Sequence, residues 1–167
     1  MPAEPAPARR RRTAAPPLRL WLRNEAGRRG VPLRRSFERW IGAIPDLAGR
    51  RAEVNLLIVG AAAARRYNRE FRGRDYATNV LSFPWQPLPG APAALLGDLV
   101  LCAPVVAREA REQRKPARDH FAHLAIHGTL HLLGYDHESA ADAERMEALE
   151  RRVLARLGIA DPYAERA

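Results

Sequence analysis

The sequence predicts an α+β fold, a single domain in which a mixed sheet of about four strands is covered by about five helices. Three observations support this. The strand-like stretches fall in the first two thirds of the chain and the longer helical ones after them, which suits one sheet with helices packed on it. A length of 167 residues is most economically one domain, large enough to bury a core without disulfide staples. No internal repeat divides the chain.

The elements follow in order. Leu18 to Arg23 (LRLWLR) alternates apolar and polar residues, the pattern of a half-buried strand. Pro32 stands where a helix starts, and Phe37, Trp40, Ile41 and Ile44 recur at helical spacing until Pro45. This periodicity assigns Phe37 and Trp40 to the core. Glu53 to Val59 is a second strand, ended by Gly60, and Ala61 to Phe71 a short helix. Thr78 to Phe83 is a third strand, a Pro-rich connection follows, and Asp98 to Cys102 is a fourth. Pro104 to Arg114 reads as a helix. Pro116 opens a longer one running to about Leu133, with Gly134 as its stop. Glu138 to Leu157 is the last, with Met146, Leu149, Val153 and Leu157 on one stripe.

Residues 1–16 are Pro/Ala/Arg-rich without apolar periodicity and read as a disordered basic arm, 17–163 as the folded domain and 164–167 as a tail. The arm's paired arginines are not followed by a long apolar core, so an export signal is not expected. No apolar run approaches the ~18 residues of a membrane span. A cytoplasmic protein without membrane attachment is the expectation, and Cys102, the single cysteine, suits a reducing compartment. The formal net charge is +9, nearly all from arginine, and most of it remains when the arm is set aside. Phosphate-rich polymers select such a surface.

All five histidines lie between His120 and His137. His127 and His131 are four apart, so on a helix both imidazoles face one site. Gly134 permits a left-handed turn that brings His137 back as a third ligand. Three neutral histidines leave the full charge on a metal and a position open, as in catalytic zinc sites, where water ionises near pH ~7. The competing reading is a set of core or surface histidines. A zinc protease with this ligand frame carries its general-base glutamate next to the first histidine, where this chain has Gly128. Peptide hydrolysis needs that base to protonate a poor leaving group, so a metallopeptidase ranks third among the functions considered.

Around this frame, His123 lies one turn before His127, where it either orients a ligand or meets substrate. His120 does either or sits in solvent. Asp136 or Glu138, just past the helix, either substitutes for that general base or has a structural role, Asp136 orienting the turn or an imidazole and Glu138 beginning the last helix. Thr78, Asn79 and Ser82 either cap a turn or contact substrate. Asp98 is an edge residue or a hydrogen-bonding group in the cleft. Trp85, beside the Pro-rich loop, is the better candidate for base stacking.

HGTLHLLGYDH (His127 to His137), ATN with LSFP (Leu81 to Pro84), GDLVLC (Gly97 to Cys102), YNREFRGRD (Tyr67 to Asp75) and LGIADPY (Leu157 to Tyr163) occur in an order that resembles the YbeY family of bacterial endoribonucleases. The resemblance implies one zinc ion per chain on His127, His131 and His137, and a cleft above it. It places Arg72 in the position of the family's functionally important arginine. Arg72 and the three histidines are then the catalytic set, with Arg72, Asn79, Ser82 and His123 as substrate-binding candidates. The implied activity is cleavage of single-stranded RNA in maturation of small-subunit (16S) ribosomal RNA, notably its 3′ end, and in ribosome quality control. The implied partners are the ribosomal RNA precursor, small-subunit ribosomal proteins and a ribosome-associated GTPase. A non-catalytic RNA-binding assembly factor with a structural metal is the alternative. Nothing in the sequence sets the oligomeric state.

Overall fold

The computed structural model describes residues 18–90 and 94–164. The arm at 1–16 lies outside them, as does all but Ala164 of the tail. Strands β1 (Leu18–Asn24), β2 (Ala52–Val59), β3 (Val80–Pro84) and β4 (Leu95–Cys102) form one sheet in the order β1-β2-β4-β3. The pairs β1/β2 and β2/β4 are parallel and β3 runs antiparallel to β4, so the sheet is mixed. Helices α1 (Arg34–Gly42), α2 (Ala61–Arg72), α3 (Ala103–Glu112), α4 (Ala117–Leu132) and α5 (Ala140–Arg156) cover it. The outcome is the α+β domain expected from the sequence.

Period-two burial along β2 shows how the sheet is used. Ala52, Val54, Leu56 and Ile58 point into the main core with Leu20, Leu99 and Leu101, beneath α1 and α4. Phe37 and Trp40 of α1 are buried there edge to face, 5.2 Å between ring centres. A smaller core on the opposite face joins Val59, Leu81, Val100 and Cys102 to Ala64 of α2 and Val105 of α3. Helix α4 is apolar almost all round, as its central position requires, with Phe121, Ala125, Ile126 and Leu130 inaccessible. Phe121, Ile126 and Leu130 each contribute roughly 1.5–3 kcal/mol by leaving water. His127 and His131 therefore stand on a helix packed into the core. Among the described residues no helix is long and apolar enough to cross a membrane.

Some boundaries differ from the sequence reading. β4 starts at Leu95 rather than Asp98, because the register jumps from Glu53↔Leu95 to Val54↔Gly97 and leaves Leu96 as a bulge. Gly97 has φ 146° and an added Cβ would lie 2.2 Å from the Phe83 carbonyl oxygen, so only glycine fits there. β3 starts at Val80 rather than Thr78, and α1 at Arg34 rather than Pro32.

α5 starts at Ala140, so Glu138 lies before it rather than in its first turn. Ser139 is the cap: its Oγ accepts from the Asp142 amide at 3.1 Å and donates to the Asp142 carboxylate at 2.6 Å. Replacing Ser139→Ala is expected to cost about 1 kcal/mol, visible as a fall in Tm of roughly 2–4 °C for a domain of this size. A change below half a degree would show that the cap carries no load.

Candidate metal centre

The centre is built at the C-terminal end of α4. His127 and His131 lie one turn apart, and their Nε2 atoms approach to 3.2 Å. His127 Nδ1–H donates to Glu150, and His131 Nδ1–H donates to the Tyr135 carbonyl oxygen at 2.8 Å. With each Nδ1 carrying its proton, both Nε2 atoms turn a lone pair toward the same point. Burial, then the neighbouring His127 and His137, hold His131 below the usual histidine range, which keeps it neutral and able to ligate.

The helix ends as its sequence requires. Gly134 takes φ 99°, its amide donates to the His131 carbonyl oxygen, and the Tyr135 amide reaches back to that of Leu130. This turn returns His137, whose ring centre lies 4.6 Å from that of His131 and 5.0 Å from that of His127. The three rings form a group whose nitrogens fall within 4.8 Å of one another, suited to holding a metal ion. Asp136 Oδ1 accepts the Glu138 amide, which fixes the turn itself.

A cleft of about 540 Å³ opens over these rings, lined also by Arg72, Asn79, Ser82, Pro84 and Asp136. Arg72 is the last residue of α2, where Gly73 at φ 67° stops the helix. One guanidinium nitrogen makes a long contact, 3.4 Å, with the Ser82 carbonyl oxygen, and the residue lines the cleft. The Ser82 hydroxyl donates to the Gly128 carbonyl oxygen at 3.1 Å, tying β3 to α4. Asn79 is used locally, accepting from the Val80 amide at 2.6 Å and donating to Glu109 at 3.0 Å.

The structure thus gathers the three ligand candidates with Arg72, Asn79 and Ser82. His123 lines an adjoining cavity that shares Asn79, Val80 and His127 with the cleft, and its Nε2 is 3.2 Å from Glu150. His120 is buried rather than solvated, 2.7 Å from Glu109, and Asp98 accepts from Asn55 at 2.7 Å in a groove on the other face of the sheet, away from the histidines. Trp85 is half exposed beyond Pro84.

Two participants escaped the sequence reading. Glu150 of α5 is fully buried and accepts from His127, His123 and the hydroxyl of Tyr163. Burial alone raises a carboxyl pKa, but the hydrogen bonds from His123 and His127 outweigh it and hold Glu150 at about 2. Burial and then the Glu150 carboxylate push the Tyr163 phenol up, so the proton stays on tyrosine. The available signal was a carboxylate four residues after Met146 and seven before Leu157, on the apolar stripe of α5.

Comparisons with known proteins find relatives over most of the chain. A family model described as Endoribonuclease YbeY matches residues 25–158. A protein named Endoribonuclease YbeY from Alkalilimnicola ehrlichii is 58% identical over 142 residues, covering 83% of this chain and 86% of its own. One of the same name from Halorhodospira halophila is 53% identical, covering 89% and 98%. The solution structure of TM1509 from Thermotoga maritima superposes with a TM-score of 0.54 at 25% identity, covering 89% of this chain and 99% of that one.

Proposed function

The chain belongs to the Endoribonuclease YbeY family, and from that premise we propose that it is a zinc-dependent enzyme cleaving single-stranded RNA in maturation of small-subunit ribosomal RNA, notably at its 3′ end, and in ribosome quality control. The observation that carries the zinc reading is the convergence of His127 and His131. Two nitrogens bound at ~2.0–2.1 Å to a tetrahedral zinc lie ~3.3–3.4 Å apart, and these Nε2 atoms stand at 3.2 Å with His137 beside them. Two lone pairs facing at that distance repel unless a cation lies between them. Three histidines as the protein ligands leave a fourth position toward the cleft.

A zinc ion held there supplies Lewis acidity toward a phosphoryl oxygen and acidifies water near neutral pH. The rest of the work falls to the chain. Arg72 at the cleft edge offers paired N–H donors to the scissile phosphate, a planar fork that a lysine does not reproduce. Ser82 and Asn79, fixed by their bonds to Gly128 and Glu109, shape the floor on which the strand lies. The net charge of +9 draws the polyanion in. Asp136 is the carboxylate in the cleft lining and takes the proton released there. The action is cytoplasmic, on ribosomal RNA precursors, with small-subunit proteins and a ribosome-associated GTPase as partners.

The test is cleavage of single-stranded RNA by the purified protein, with and without a chelator, alongside Arg72→Glu. Chelation abolishes cleavage and zinc restores it. Arg72→Glu lowers the rate about a hundredfold or more, as loss of a charge-stabilising donor does, while one zinc per chain is retained. Cleavage insensitive to chelator sinks the zinc reading. In cells depleted of the protein, sequencing of ribosomal RNA ends should show correct 3′ ends restored by wild type and not by Arg72→Glu. Rescue by a cleavage-dead variant would favour a binding factor instead.

A further inference from the structure

The segment after α5 reaches the metal centre through a chain of hydrogen bonds that joins it to a ligand. Gly158 at φ 73° ends α5, and Ile159 is buried against the core. Asp161 then accepts the Tyr163 amide at 2.8 Å and pairs with Arg151 at 3.4 Å. The Tyr163 ring is held between the Arg151 guanidinium, 5.1 Å from its centre, and the His123 ring, 5.4 Å away and nearly perpendicular. From that seat its hydroxyl donates to Glu150, which accepts His127 Nδ1–H on its other oxygen.

We infer that Glu150 and Tyr163 are positioning residues for the zinc site, and that the Asp161–Tyr163 segment sets zinc affinity by fixing the tautomer and orientation of His127. The inference rests on the zinc reading above. A buried carboxylate is tolerated only while its oxygens are satisfied. Glu150 Oε1 serves His127, and Oε2 takes the Tyr163 hydroxyl and His123 Nε2. With Oε2 satisfied from behind, Oε1 stays aimed at His127 Nδ1, which holds the ring with Nε2 facing His131. Outer partners of this kind change metal affinity about ten- to a hundredfold. By the same linkage, zinc on His127 strengthens the seat of the C-terminal segment.

Tyr163→Phe keeps the ring between Arg151 and His123 and removes only the hydroxyl, and Glu150→Gln keeps the shape and removes the charge. Zinc affinity of the full-length protein is measured by competition with a chromophoric chelator, and the His127 tautomer of the zinc-free protein by 15N NMR. Leu20→Val, a core trim on β1 at the opposite edge of the sheet from β3, controls for stability alone. The expected result is an Nδ1–H tautomer in wild type, weakened zinc binding by about ten- to a hundredfold in Glu150→Gln and several-fold in Tyr163→Phe, a mixed tautomer in both, and no change in Leu20→Val. Wild-type affinity and tautomer in both network variants overturns the inference and leaves the proposed function standing. A wild-type protein that binds no zinc overturns both.

Discussion

His131→Ala is expected to remove zinc and RNA cleavage together while leaving the fold in place. His131 suits this test better than His127, because truncating His127 also strips a hydrogen-bond donor from the fully buried Glu150 and unsettles the core. The partner of His131 on the protein side is a backbone carbonyl at the helix end, where the Gly134 and Tyr135 amides close the turn independently. The alanine therefore deletes one of three ligands and little else. Loss of an outer partner already costs ten- to a hundredfold in affinity or activity, so loss of a ligand should exceed about a hundredfold in both. Metal content per chain and the single-turnover cleavage rate are the measurements. A variant that still carries one zinc and cleaves at the wild-type rate would place the centre elsewhere.

Gly128→Glu, which introduces the residue of a zinc protease, is expected to destabilise the protein rather than convert it. A Cβ at position 128 would lie 2.8 Å from Leu99 Cδ2, 3.0 Å from Ser82 Oγ and 3.2 Å from Val80 Cγ2. Leu99 is fully buried and has nowhere to move, and Ser82 is the hydroxyl that ties β3 to the Gly128 carbonyl. Overpacking of this kind costs about 1–3 kcal/mol for a methyl group, and the remaining glutamate adds a charge beside the apolar Leu99 and Val80. Together these exceed ~3 kcal/mol, a fall in Tm on the order of 10 °C by thermal denaturation. Gly128→Ala should show the first part alone. Wild-type Tm in Gly128→Glu would refute the packing account. The missing glutamate thus has a structural cause: α4 lies so close on β3 and β4 that its face at 128 admits no side chain, and a peptidase's base has no place there.

The sequence was most legible where function and geometry follow from local spacing. His127 and His131 one turn apart, Gly134 as the stop and His137 three residues beyond it define a ligand frame that needs only helix geometry. Period-two burial in β1 and β2 and the helical recurrence of Phe37, Trp40 and Ile41 fixed which faces meet. The start of β4 was hidden because Leu95 and Leu96 follow a Pro-rich stretch and the strand crosses its bulge at Gly97, where periodicity breaks. Arg72 was visible by resemblance alone, since an arginine in RGRD carries no local mark of its partner 10 residues on in β3.

What the sequence determined by itself was the α+β class, the apolar faces and the three-histidine frame, because each depends on residues a few positions apart. Only the tertiary structure decided how that frame is held. Glu150 comes from α5 and Tyr163 from the segment beyond it, 23 residues from His127 and 40 from His123 respectively. Ser82 meets Gly128 from 46 residues away. Such partners are chosen by packing of elements distant in sequence, where a buried charge or a missing side chain acquires its meaning only from what stands against it.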